Sequence, residues 1–199
     1  VSARRSERSN SNISPESEHP DDLAHREYIR GLLTDSRRWR GFSATGFALE
    51  VGAPKATFSE LENPEHTPSY WWRMKSVQRW AMYLNMQFTI RFGDLDADAN
   101  QAYSQMMDSD AYWADLIYGR IRQPLNEGWL ALEILKKVRK DRGITEPDMA
   151  DRIGIGRQSL QNIERVKAPR LSTIQRYTRA LGGQTRLQVS LWTPKAEPR

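Results

Sequence analysis

Two stretches of this chain lie over one another without a gap, and any fold it adopts must satisfy both. RGFSATGFALEVGAPKATFSELE, from Arg40, aligns with RGITEPDMADRIGIGRQSLQNIE, from Arg142, at an offset of 102 (142 − 40). Arg40/Arg142, Gly41/Gly143, Ala48/Ala150, Gly52/Gly154 and Glu62/Glu164 are identical. The apolar positions match in kind: Phe42/Ile144, Phe47/Met149, Val51/Ile153, Phe58/Leu160 and Leu61/Ile163. Upstream, Leu33/Leu135 and Arg37/Arg139 keep the same offset. Downstream, VQRW from Val77 aligns with IQRY from Ile174 at an offset of 97 (174 − 77), so the first copy holds five extra residues (102 − 97) around 63–70. Matched order, spacing and residue kind read as an internal duplication.

Each copy ends in an alternating run, QFTIRF from Gln87 and TRLQVSLW from Thr185. Apolar residues at every second position predict short strands, and the two strands are candidates to pair with each other. Residues 1–22 are Ser-, Arg-, Glu- and Pro-rich and read as a disordered tail that cannot bury enough surface to offset its ordering entropy. Within it, Arg4, Arg5 and Arg8 read either as a basic arm or as solvated charge. The expected organisation is a first copy over 23–92, an acidic helical linker over 93–125, a second copy over 126–192 and a tail over 193–199. The linker carries Asp94, Asp96, Asp98, Asp108, Asp110 and Asp115, and an apolar set of Met107, Tyr112, Trp113, Leu116 and Ile117 at helical spacing.

The second copy has the clearer local chemistry. Leu130, Ile134, Leu135 and Val138 recur at helical spacing and predict a helix ending near Gly143. Thr145 suits the cap of the next helix, with Pro147 and Asp148 in its first turn. Met149, Ala150 and Ile153 form its inward stripe, Ala150 being small where another helix must cross closely. Gly154 supplies the left-handed residue that stops it. A third helix then starts at Gly156–Arg157. Leu160 and Ile163 face inward on it, which leaves Arg157, Gln158, Gln161, Asn162 and Arg165 outside. These side chains suit base edges in a major groove: Arg meets guanine with two bonds, and Gln or Asn meets adenine the same way.

This stretch, about 130–183 and more weakly 28–85, resembles the Xre/Cro/cI family of helix-turn-helix repressors, which includes lambdoid phage repressors and many antitoxins. The resemblance implies a mainly α chain of two tandem lambda-repressor-like modules, each followed by a short β-strand and joined by the acidic helical linker. It implies that the third helix lies in the major groove while the second crosses the backbone. Base contacts then fall to Arg157, Gln158, Gln161 and Asn162, and in the first copy to Lys55 and Ser59 on a helix over 54–62. Phosphate contacts fall to Thr145, Ser159, Arg165, Lys167 and Arg170, and to Ser43 and Thr57. It also implies an Arg139–Glu164 pair, mirrored by Arg37 and Glu62, with a structural role. The family's Gln at the start of the second helix is here Glu146 and, in the first copy, Ala44. Glu146 beside phosphate is unfavourable, so it either faces away or orders a neighbouring Arg. The reading positions of the first copy, Lys55, Ala56, Ser59 and Glu60 behind Pro54, are poorer for base readout. Glu60 reads as an acceptor for cytosine N4 or as a solvated carboxylate. Trp71 and Trp72 read as core packing or as a stacking surface for single strands, with Arg73 and Lys75 in reach of phosphate.

Charge agrees with a polyanionic partner. The formal net charge is +5, and the second copy, 126–192, holds thirteen Lys/Arg against seven Asp/Glu, while 27–92 holds nine against six. Cysteine is absent, which excludes disulfides and thiolate metal sites. The three histidines, His19, His25 and His66, have no spaced partners, so no metal or other cofactor is expected. No nucleophile set or phosphate loop stands out, so an enzyme is not expected. No membrane-length apolar run occurs, and a cytoplasmic location is expected. The expected partner is double-stranded DNA, with self-association through the terminal strands and a toxin protein as further options. Two functions compete: a repressor of the phage immunity type acting as an internal pseudo-dimer, and an antitoxin that masks a toxin through the first copy or the linker.

Overall fold

The computed structural model describes residues 19–65, 72–95 and 127–191. The expectations for the tail arginines, His66, Trp71, the acidic linker helix and 193–199 lie outside the described residues. Helices α1 (Pro20–Trp39), α2 (Ala44–Glu50), α3 (Thr57–Glu62) and α4 (Met74–Tyr83) precede strand β1 (Met86–Gly93). Helices α5 (Glu127–Asp141), α6 (Glu146–Ile153), α7 (Arg157–Arg165) and α8 (Leu171–Ala180) precede strand β2 (Gln184–Leu191). Among the described residues the order four helices then a strand thus occurs twice, and helix is the dominant class.

The expected helix signals in the second half are present. Thr145 and Asp148 form a reciprocal capping box on α6, and Gly154 ends it at φ 76° in the left-handed region. Gly156 is the N-cap of α7. Three pairs aligned at the 102 offset, Leu33 and Leu135, Ala48 and Ala150, Phe58 and Leu160, are buried in both members. The chemistry differs between halves. The first packs aromatic on aromatic, with ring centroids 4.8 Å apart for Phe47–Phe58 and 6.2 Å for Phe58–Trp80. The second uses Met149, Leu160 and Ile174.

Two sequence boundaries move. The tail was expected to run through residue 22, yet α1 starts at Pro20 with His19 as N-cap and Asp21 and Asp22 in its first turn. Proline and acids are tail-like in composition, but at a helix start a missing N–H costs nothing and the dipole favours negative charge. Asp22 is buried and paired with Arg179 of α8 at 2.9 Å. In the first half the third helix starts at Thr57, not at Pro54. Lys55 and Ala56 form a turn closed by Thr57 N–H on the Pro54 carbonyl (2.9 Å), and Ala56 has no side chain to cap the exposed N–H groups.

The halves meet through residues that the 97 offset makes equivalent. Strands β1 and β2 pair antiparallel, Met86 with Leu191 through to Gly93 with Gln184, in the only sheet among the described residues. Ile90 pairs with Leu187, the residue aligned with it at that offset (187 − 90 = 97), next to the middle of the ladder. The same relation recurs at the far end of α4 and α8. Arg73 and Arg170 form an isolated antiparallel bridge (170 − 73 = 97). Around it, Met74 N–H reaches the Pro169 carbonyl at 3.2 Å, and Leu171 N–H reaches the Trp72 carbonyl at 2.9 Å. Close approach also has a steric condition: a Cβ on Gly128 would stand 2.6 Å from Met74 Cβ, so α5 packs on α4 only with glycine there.

On α1, His25 Nε2 accepts from Leu187 N–H at 2.7 Å, which ties the first helix to the strand of the other half. Burial, and then Arg186, lower the His25 pKa below its ordinary 6.5. Only the neutral ring accepts this bond. Its contribution is therefore complete above 6.5 and falls as the pH drops from there through the lowered folded value, because the unfolded chain binds the proton first. Chemical denaturation above and below that pH should show the loss of stability, and His25→Gln should flatten it; an equal slope in both proteins would refute the assignment.

Candidate nucleic-acid interface

Helix α7 is held from below and open above. Leu160 is buried and Ile163 half-buried, while Arg157, Gln158, Asn162 and Arg165 are exposed and Ser159 and Gln161 are half-buried. Three and four residue steps put Leu160 and Ile163 on one face and Arg157, Gln158, Gln161, Asn162 and Arg165 around the other, as the periodicity predicts. Gly156 brings no capping side chain. Thr145 is exposed, but its hydroxyl bonds Asp148 Oδ2 at 2.6 Å within the capping box. Lys167 is exposed, and Arg170 is half-buried in its bridge with Arg73.

The register of α7 on the body is fixed by a buried charge. Arg139 of α5 lies 3.2 Å from Glu164 at the end of α7 and donates to the Ile144 carbonyl at 2.9 Å. Tyr177 of α8 completes the set: its hydroxyl accepts from Arg139 Nε at 3.0 Å and donates to Glu164 Oε1 at 2.6 Å. Burial, reinforced by Glu164, pushes the Tyr177 phenol well above its usual range, so it remains a donor. One constellation thus joins α5, α7, α8 and the turn before α6. In the first half Arg37 meets Glu62 directly with two bonds, 2.6 and 2.5 Å, and also donates to the Phe42 carbonyl. The residue equivalent to Tyr177 is Trp80, which brings no hydroxyl to that pair. Outside both pairs, Arg40 donates to the Leu84 carbonyl and Arg142 to that of Leu181, again equivalent residues.

Glu146 resolves the alternatives left by the sequence. Its Oε2 accepts from Arg157 Nε at 3.4 Å and from Gln161 Nε2 at 2.8 Å. The hydrogen bond from Gln161, and then the bond and charge of Arg157, hold this carboxyl below its ordinary 4.5. It does not face away; it orders one Arg, and also a Gln that sequence reasoning did not connect to it. The first half has no counterpart, since Ala44 stands at that position. There Lys55 is exposed in the turn before α3, Ser59 is exposed but donates to the Ala56 carbonyl at 3.0 Å, Thr57 is half-buried and Glu60 is exposed. Ser43 caps α2 by accepting from Gly46 N–H at 3.0 Å. Trp72 is core: it is buried, edge-on to Trp80 at 6.2 Å, and covered by Arg30 at 4.7 Å. Sequence reading did not reach the role of Tyr177, although the alignment of VQRW with IQRY sets it opposite Trp80 and so places a hydroxyl in the second half alone.

Comparison with protein-family models matches residues 135–187 to Helix-turn-helix, from Leu135 in α5 to Leu187 in β2. The match spans the capping box, α7 and the Arg139–Tyr177–Glu164 set. It supports a sequence-specific DNA-binding regulatory role for that segment. No curated protein and no solved structure matches the chain. Among the described residues no helix is long and apolar enough to cross a membrane.

Tyr177→Phe keeps the ring and removes the bridge between two buried charges. A loss of roughly 1.5–3 kcal/mol is expected, the range for hydrogen bonds to charged groups, measured by urea denaturation. An unchanged midpoint would show that the hydroxyl contributes nothing to seating α7.

Proposed function

We propose that this protein is a transcriptional repressor that binds an asymmetric double-stranded DNA site as an internal pseudo-dimer, with α7 as the stronger reader and α3 as the weaker. The observation that carries the reading is the pairing of equivalent residues, Ile90 with Leu187 and Arg73 with Arg170. That is the relation a symmetric dimer makes between two copies of one surface, here supplied by two unequal halves of one chain. The 23–92 and 126–192 segments are then two diverged modules. Their third helices enter successive major grooves about 34 Å apart, one turn of the duplex.

In the second half, Arg157, Gln158, Gln161 and Asn162 read base edges, and Ser159, Arg165, Lys167 and Arg170 meet phosphate. Thr145 contributes to phosphate binding only by giving up its bond to Asp148. In the first half Lys55 and Ser59, with Thr57 and Ser43 near the backbone, form a shorter and poorer surface, so that half-site is less specific. Repression, as in phage immunity repressors, follows from covering a promoter. The antitoxin reading has one observation of its own: Trp39 is 86% exposed beside a groove of about 490 Å3 lined by Leu32, Met86 and Val189, a surface able to hold a protein. Neutralisation of a toxic neighbouring gene product, lost on Trp39→Ala, would support it.

Selection of bound sequences from random duplex DNA tests the main reading. One strongly and one weakly specified half-site should emerge, bound by one chain, with affinity falling steeply as salt rises. Arg157→Ala or Gln158→Ala should cost roughly 1–3 kcal/mol and relax preference at particular base pairs. Two chains on a palindrome would refute the pseudo-dimer, and equal losses on selected and random DNA would refute base reading by those residues.

A further inference from the structure

Glu146 does more than neutralise a neighbour. A carboxylate is an acceptor only, so the Gln161 amide must turn its nitrogen toward Glu146, and at 2.8 Å the flipped amide would set two acceptor oxygens against each other. The carbonyl oxygen of Gln161 is then its outer end. Arg157 meets the same Oε2 through Nε, which leaves both terminal nitrogens of the guanidinium as a donor fork. The two groups sit side by side on one carboxylate, four residues apart on α7. The carboxyl is held in its charged form by these bonds, and the first half, with Ala44, Lys55 and Ser59 at the matching positions, has no such arrangement.

We infer that Glu146 is a specificity-determining positioning residue. By holding Arg157 and Gln161 on one oxygen, it presents a donor fork beside an amide acceptor. The protein then selects guanine at one base and an amino-bearing base, adenine or cytosine, at a neighbouring one. This rests on base reading by α7. The fork matches guanine O6 and N7, while the acceptor needs the N6 or N4 amino group and is opposed by the carbonyl oxygens of thymine and guanine. An unclamped glutamine offers either end of its amide, so it would not impose that rule.

The test is selection from random duplex DNA with the full chain at one salt concentration, for wild type, Glu146→Gln, Gln161→Met and Arg157→Ala, each checked for native helical content. Wild type should favour adenine or cytosine over thymine or guanine by about tenfold at the second position. Glu146→Gln, whose amide both donates and accepts, should erase most of that preference and keep the guanine preference in part. Gln161→Met should erase the second preference alone, which tests the inference even where the Glu146 variant does not fold. Unchanged preferences in Glu146→Gln with uniformly weaker binding would make Glu146 merely structural and overturn the inference. The base-reading role of α7 would survive that result if Arg157→Ala still lost the guanine. Wild type that enriches no sequence would overturn both.

Discussion

Antiparallel pairing between residues that lie 97 positions apart, Ile90 with Leu187 and Arg73 with Arg170, organises the described residues. A strand such as β1 presents a row of backbone N–H and C=O groups that need partners, and a lone strand has none. Here β2 supplies them, with Ile90 meeting Leu187 next to the middle of the ladder. Phe88, Ile90, Phe92 and Leu187 bury their side chains with it. The bridge of Arg73 with Arg170, with its reciprocal bonds to the Trp72 and Pro169 carbonyls, repeats the relation at the other end of α4 and α8. Two such pairings fix both position and rotation of one half on the other. The ties between α1 and the second half, Asp22 to Arg179 and His25 to Leu187, then add to an arrangement already set.

Within that frame the halves keep one device and vary its surroundings. Each seats its third helix with an arginine from its first helix against a glutamate at the third helix's end, and that arginine also bonds a carbonyl in the following turn. A buried charge without its partner is costly, so removing one member of either pair alone is strongly destabilising. The first half builds its core with Phe47, Phe58 and Trp80, while the second uses smaller side chains and brings the Tyr177 hydroxyl to its pair. The third helices of the two halves differ in step. Helix α7 has nine residues and a carboxylate ordering its surface, while α3 has six and begins with an uncapped turn.

Much of this was legible in the chain. Capping residues, stop glycines and the inward stripe act within a few positions, so Thr145, Asp148, Gly154, Leu160 and the exposed face of α7 could be assigned from spacing. The two misplaced boundaries share a cause. Pro20, Asp21 and Asp22 are tail-like in composition but helix-starting in position, and only the burial of Asp22 against Arg179 separates the two meanings. Pro54 aligns with Gly156, but aligned residues need not share a backbone. Gly156 leads straight into helix, whereas Pro54 closes a turn that delays it.

The sequence by itself determined the helices and strand of the second half, the matched spacing between the two halves and the polar side chains on the open face of α7, because each follows from periodicity or local hydrogen bonding. Tertiary structure alone decided which equivalent residues meet, that Tyr177 bridges Arg139 and Glu164, and that one carboxylate at the start of α6 holds both Arg157 and Gln161. Those contacts depend on how helices cross and how strands register. A one-dimensional pattern leaves both free, since the same apolar stripe packs at more than one angle, and hydrogen bonds of about 3 Å select among them.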